Sequence, residues 1–130
     1  MLMNRSARTI LLLLGCWLLS SPSHAGEMSN GPEVIIASDF FTGSIGAARN
    51  SADTVQYIGC LVYGTASGKS VYCSARNANG NVAACTSNVA QLIEAVAAMN
   101  ENSILDIGYG GGVCSHIYVQ GSSFALPVSP

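Results

Sequence analysis

The sequence predicts an α+β domain: an antiparallel β-sheet of about five or six strands, one amphipathic helix before the last two strands, and disulfides holding them together. Three observations predict it. Residues 54–63 and 70–76 are rich in β-branched and aromatic residues that alternate between two faces. Val89, Leu92, Ile93, Val96 and Met99 recur at helical spacing. Four cysteines, Cys60, Cys73, Cys85 and Cys114, form an even set once the N-terminus is removed.

That removal is itself an expectation. Arg5 and Arg8 precede an apolar run of about ten residues, followed by Pro22-Ser23-His24-Ala25. A basic start, an apolar stretch and small residues at the −3 and −1 positions describe a secretory signal peptide, residues 1–25, cut between Ala25 and Gly26. Cleavage removes Cys16, the odd cysteine of five. Leu13-Leu14-Gly15-Cys16 also resembles a lipobox, but Trp17, Leu18 and Leu19 continue the apolar run where a tether would be polar. Export is therefore expected to be to the periplasm or the medium, as a free chain. No second apolar run reaches the length of a membrane span.

The remaining chain carries Arg49, Lys69 and Arg76 against seven acidic residues, a net charge of −4. It has no basic patch, which excludes nucleic acid as an expected partner. Residues 26–42 read as a flexible N-terminal segment, with a short strand possible at 34–37. Residues 43–125 read as one domain, and Leu126-Pro127-Val128-Ser129-Pro130 as a C-terminal coil, because two prolines in four residues cannot hold a ladder.

Within the domain, residues 43–49 are small and lead into a turn-like Asn50-Ser51-Ala52-Asp53. In the first long strand, Gln56, Ile58, Cys60 and Val62 share one face and Tyr57, Leu61 and Tyr63 the other. Residues 64–68 form a loop. In the second strand Val71, Cys73 and Ala75 share a face. Ala78-Asn79-Gly80 fits a three-residue hairpin loop with Gly80 in the left-handed position. The helix is expected over residues 89–100, with Asn88 as N-cap and Gln91 completing a capping box. Residues 103–108 and 113–120 close the sheet around Tyr109-Gly110-Gly111-Gly112.

The hairpin loop sets Cys73 opposite Cys85. A two-residue turn at Ala66-Ser67 would set Cys60 opposite Cys73 equally well. The asparagine–glycine turn is the stronger local signal, so the expected bridges are Cys73–Cys85 and Cys60–Cys114.

Four stretches resemble a family of small exported bacterial proteins: GAARNSAD from Gly46 to Asp53, QYIGC from Gln56 to Cys60, the VYCSARNANG hairpin, and the GGVCSHIYV ending. The resemblance implies export and a cysteine framework. It brings no assigned activity and no catalytic residues.

Chemistry is sparse. The gaps between successive cysteines are 12, 11 and 28 residues, unlike the close pairs of a structural zinc site; no metal or cofactor is expected. His116 is the one histidine of the cleaved chain. If the glycine turn places Asp106 opposite it, with Ser115 or Ser103 near, the parts of a hydrolase triad are present, but no nucleophile elbow surrounds them. The Gly110-Gly111-Gly112 run lacks the lysine and hydroxyl residue of a phosphate loop. Arg49, Asn50 and Ser51 read as turn formers. Tyr57, Tyr63, Tyr72, Tyr109 and Tyr118 could form a binding face, yet aromatics on half-buried strands read first as core. With so few titratable groups, the expected function is non-enzymatic: an exported binding or inhibitor-like domain whose partner is a protein or other envelope macromolecule. The alternative is a small hydrolase using His116 and Asp106.

Overall fold

The computed structural model describes residues 31–121. The expected signal peptide with its Ala25–Gly26 cut, the Cys16 alternative and the coil at 126–130 lie outside the described residues. Seven strands and two short helices follow in the order β1 (Ile35–Ile36), β2 (Phe40–Ser44), α1 (Ile45–Arg49), β3 (Tyr57–Thr65), β4 (Gly68–Arg76), β5 (Val82–Ser87), α2 (Ala90–Ala97), β6 (Ser103–Gly110) and β7 (Val113–Gly121). They form one sheet in the order β1-β2-β6-β7-β5-β4-β3. Every pairing is antiparallel except the short parallel contact of β5 with β7, where Thr86 faces Val113. The class is therefore α+β, with seven strands rather than five or six and two helices rather than one.

The sheet curls. β2 and β3, second from one margin and last at the other, still touch. Val34 N–H donates to Gln56 Oε1 at 2.9 Å across that gap. The core lies inside the curl. Phe41, Leu105, Ile107 and Ile117 fill it from β2, β6 and β7, and Val71, Cys73, Ala75, Ala83 and Cys85 from β4 and β5. Val96 of α2 and Ala48 of α1 close it from above.

The turns follow the sequence closely. Asn77 N–H donates to Asn81 O, and Gly80 N–H to Asn77 O, around a loop in which Gly80 has φ +83°. Thr65 faces Gly68, leaving Ala66-Ser67 as a two-residue turn. Gly110 faces Val113, so Gly111 and Gly112, with φ +56° and +78°, make the last turn alone.

The N-terminal expectation is corrected: within the segment read as flexible to residue 42 lie β1 and most of β2, and Phe41 is wholly buried. The signal is weak because β2 is five residues long and contains Gly43. Residues 43–49, read as a small-residue approach to a turn, hold α1. Ser44 caps it, its Oγ accepting from Ala47 N–H at 3.2 Å. α2 is shorter than expected at both ends. Asn88 does not cap it; the N-cap is Val89, and Ser87 Oγ accepts from Val89 N–H instead. At the other end Ser103 Oγ accepts from Asn100 N–H and pulls the chain into a turn.

The disulfides are Cys60–Cys73 and Cys85–Cys114, not the expected Cys73–Cys85 and Cys60–Cys114. The expected register was right: Cys73 does face Cys85. It also faces Cys60 on its other side. Ladder geometry decides between them. In an antiparallel sheet a residue directs both its N–H and its C=O toward one neighbouring strand. On that side it forms a hydrogen-bonded pair with Cα atoms about 5.5 Å apart, and on the other a non-hydrogen-bonded pair about 4.5 Å apart. Asn77 is hydrogen-bonded to Asn81, so every second residue back along β4, including Cys73, points its backbone at β5. Cys73 therefore stands closest to Cys60, at a Cα separation of 4.0 Å. Cys85 likewise turns its free side to β7, where Cys114 lies 5.0 Å away. A Cys60–Cys114 bridge would have to cross from β3 over β4 and β5, three strand spacings of about 4.8 Å, beyond disulfide reach.

Candidate functional site

Two surface regions carry the side chains singled out in the sequence. The first is the outer face of β6 and β7. Asp106 does not stand opposite His116; it faces Tyr118, and His116 faces Gly108. The two nevertheless meet diagonally, His116 Nε2 lying 3.0 Å from Asp106 Oδ1. Gly108 makes this possible. A Cβ there would sit 2.3 Å from His116 Nδ1 and Cε1, so the imidazole can lie across the strand only because that position is bare. The register shifts between Gly108 and Tyr109, leaving Ser115 as an extra residue beside His116. The bulge keeps Ser115 on the same side: its Oγ would lie 2.7 Å from the same Gly108 Cβ. The His116 ring also packs at 5.0 Å on that of Tyr118. Ser103, the other candidate hydroxyl, is buried near the far end of β6 at the α2 turn and takes no part.

The His116 and Asp106 side chains are 40% and 45% exposed. Three open grooves lie among the described residues. None of these three is lined by His116, Asp106 or Ser115. Ser115 forms no hydrogen bond to the imidazole. The arrangement can orient a histidine. The grooves put no enclosed substrate site beside it.

The second region is the outer face of β3 and β4. Here the expectation that the tyrosines belong to the core is corrected for four of the five. Only Tyr109 is in the core, stacked at 5.5 Å on Phe41, its hydroxyl donating to Ala37 O at 2.8 Å. Tyr57, Tyr63, Tyr72 and Tyr118 are exposed. Tyr57, Leu61 and Tyr72 border a groove over Gly59, with Ser74 on its floor. Arg76 stands 5.7 Å above the Tyr57 ring. The alternation along both strands is as expected; what sequence could not show is which face is covered. α1 and α2 lie on the face of small residues, and the tyrosines are turned out.

The remaining polar candidates are structural. Arg49 pairs with Glu101 at 3.3 Å on the surface, Asn50 ends α1, and Ser51 donates to Ala48 O at 2.9 Å. Asp53 was read only as part of this turn, but it anchors it. Its carboxylate accepts from the Gln56 side chain at 2.6 Å, from the Val55 and Gln56 N–H groups, and from Ser51. The Gln56 side-chain bond first, then the two backbone donors, hold its pKa down at about 2 from 3.8. Gln56 passes the contact on to Val34, so this turn joins the two margins of the curl.

The four cysteines are all bound in disulfides. Among the described residues no helix is long and apolar enough to cross a membrane. Comparison with protein-family models, with characterised proteins and with solved structures finds no match.

Proposed function

We propose that this chain is an exported, non-enzymatic binding domain whose contact surface is the outer face of β3 and β4. One observation carries the reading: Tyr57, Leu61 and Tyr72 stand exposed together around an open groove, with Tyr63 exposed further along the same strand face. Tyrosine presents a large, stiff, amphipathic surface at small entropic cost, which suits it to the centre of an interface. The disulfides and the resemblance to small exported proteins support the extracellular or periplasmic setting. The partner class is a protein or other macromolecule of the envelope or the secreted fraction. The test compares wild type with Tyr57→Ser/Tyr72→Ser as baits, both checked for folding, against that fraction. A partner retained by wild type and lost by the double variant supports the reading. Equal recovery by both overturns it.

A second reading, a small hydrolase, is favoured by the His116–Asp106 hydrogen bond and the neighbouring Ser115. It requires ester or amide turnover by wild type that His116→Ala and Ser115→Ala each abolish. Turnover that survives either substitution removes it.

A further inference from the structure

The two margins of the sheet are defended differently. β1 is only two residues long, a short edge of the kind that resists pairing with other chains. β3, at the other margin, runs nine residues, YIGCLVYGT, with no charged residue and no proline. Among the described residues no strand pairs with its outward side. The ladder parity that selects the Cys60–Cys73 bridge turns the N–H and C=O groups of Tyr57, Gly59, Leu61, Tyr63 and Thr65 toward β4. Those of Ile58, Cys60, Val62 and Gly64 then point off the sheet. None of these four N–H groups has a backbone hydrogen bond elsewhere among the described residues. Half of the large exposed hydrophobic side chains among the described residues are also here: Tyr57, Leu61, Val62 and Tyr63 on β3 and Tyr72 beside it, five of ten.

We propose that a second copy of this chain covers this edge, its β3 pairing antiparallel with the first about a two-fold axis through Leu61. Two features favour a copy over another partner. The first is charge. The cleaved chain is acidic, so two copies repel; yet residues 54–93 contain no Asp or Glu, and their two cations, Lys69 and Arg76, stand on β4 and not on the β3 edge. The β3 side is where two such molecules can approach without bringing carboxylates together. The second is register. The two-fold through Leu61 sets Ile58 against Gly64 and Cys60 against Val62, each with both groups facing across, so the free donors and acceptors of both edges are matched. The same register places Tyr63 of each copy opposite Gly59 of its partner, in a non-hydrogen-bonded pair where side chains approach most closely. Gly59 has open space above it: a Cβ there meets nothing within 4 Å. Each tyrosine ring covers the other copy's bare glycine. Closed point symmetry of this kind ends the sheet, where a one-sided contact would propagate. Because each Tyr63 ring enters the partner's groove over Gly59, the pairing takes up part of the outer face proposed as the contact surface; the dimer is therefore measured on the purified protein alone, so that its failure is distinct from a failure to capture a partner.

Analytical ultracentrifugation of the disulfide-bonded protein over a concentration series tests it, with amide exchange read by NMR on the same samples. A dimer is expected, with the amides of Ile58, Cys60, Val62 and Gly64 gaining protection as concentration rises. Leu61→Lys places like charges at the axis, and Val62→Pro removes one outward N–H while leaving the bonds to β4 intact. Each should weaken the dimer at least tenfold. If one variant misfolds, the other and the wild-type exchange pattern decide. A wild type that stays monomeric overturns the proposal. So does a dimer indifferent to folded Leu61→Lys or Val62→Pro, or four edge amides that remain unprotected in the dimer.

Discussion

The two halves of the sheet put their bulk on opposite sides. In β2, β6 and β7 the large residues point inward: Phe41, Leu105 and Ile107 are fully buried. In β3, β4 and β5 the inward positions hold Ile58 and Val71 but otherwise mainly small residues, Cys73, Ala75, Ala83 and Cys85, and the largest side chains, Tyr57, Leu61, Tyr63 and Tyr72, point outward. The first half is held by apolar burial. The second has a thin interior, and both disulfides lie in it or at its seam. The difference teaches where to look for function. A domain this small buries only a modest core, and turning its aromatics outward lowers stability unless something compensates. Covalent bridges compensate here, which lets the aromatic side chains stand on the surface.

The largest expected effect comes from the seam. β5 and β7 share a single ladder position, Thr86 with Val113, supported by Thr86 N–H donating to Gly112 O at 2.9 Å. Cys85–Cys114, with a sequence separation of 29, is the covalent tie across it. Loop-entropy arithmetic gives about 3.6 kcal/mol for that bridge and about 3 kcal/mol for Cys60–Cys73. The latter, with a separation of 13, reinforces a hairpin already paired along nine residues. Together they rival a whole net stability of about 5–15 kcal/mol. Full reduction should leave the fold marginal. Cys85→Ala/Cys114→Ala should lower the melting temperature more than Cys60→Ala/Cys73→Ala. The opposite ranking would show that the seam is not where the two halves depend on covalent help.

The second prediction sets one half against the other directly. Phe41→Ala should cost about 3–5 kcal/mol, the usual range for truncating a buried phenylalanine. Tyr72→Ala, on the outer face, should cost under about 1 kcal/mol. Chemical denaturation of the two variants measures both. Equal losses would mean that the tyrosines belong to the core after all.

Much of this architecture is legible in the residues. Asn79-Gly80 and Gly111-Gly112 announce their turns because left-handed backbone favours glycine, and the helical spacing of Val89 to Met99 places α2. The disulfide pairing is legible in the hairpin as well. The loop at Ala78-Asn79-Gly80 fixes which residues of β4 bond to β5, and that parity sends Cys73 to Cys60. The tyrosine face was not legible. Alternation separates two faces without saying which one is covered, and bulk suggested the wrong one. α1 was hidden because five residues with a single serine cap carry little periodic signal. The His116–Asp106 contact was expected from direct opposition and is reached instead through a bulge and a bare Gly108, neither of which has a sequence signature strong enough to set the register.

The third prediction concerns that contact. Gly108→Ala puts a methyl where the imidazole lies. The ring is partly exposed and can swing away, so the loss should stay near about 1 kcal/mol, in keeping with a solvent-accessible pair. The sharper readout is NMR: the His116 ring resonances should shift as the Asp106 bond breaks. Unchanged resonances would show that the glycine does not set the geometry of the site.

The smallest effect changes only within an acid pH window, and it tests the turn where the two halves meet. Asp53 binds Gln56, which in turn binds Val34, so its carboxylate ties the margin of β3 to the strand segment leading into β1. Hydrogen bonds from Gln56 and from the Val55 and Gln56 amides favour the ionised form and hold the folded pKa at about 2 against 3.8. A group with a depressed folded pKa binds fewer protons folded than unfolded between those values. Its contribution is complete above 3.8 and is lost as pH falls through about 2. Asp53→Asn keeps one acceptor and removes the charge, so it should be less stable than wild type at neutral pH. That difference should shrink as pH falls from 4 and nearly vanish near 2. Urea midpoints of the two proteins, measured in parallel across that range, isolate this carboxylate from the other acids, which titrate in both. A gap between wild type and variant that stays constant with pH would mean that the charge of Asp53 does not hold the turn. The join between the two margins would then rest on the Gln56–Val34 bond alone.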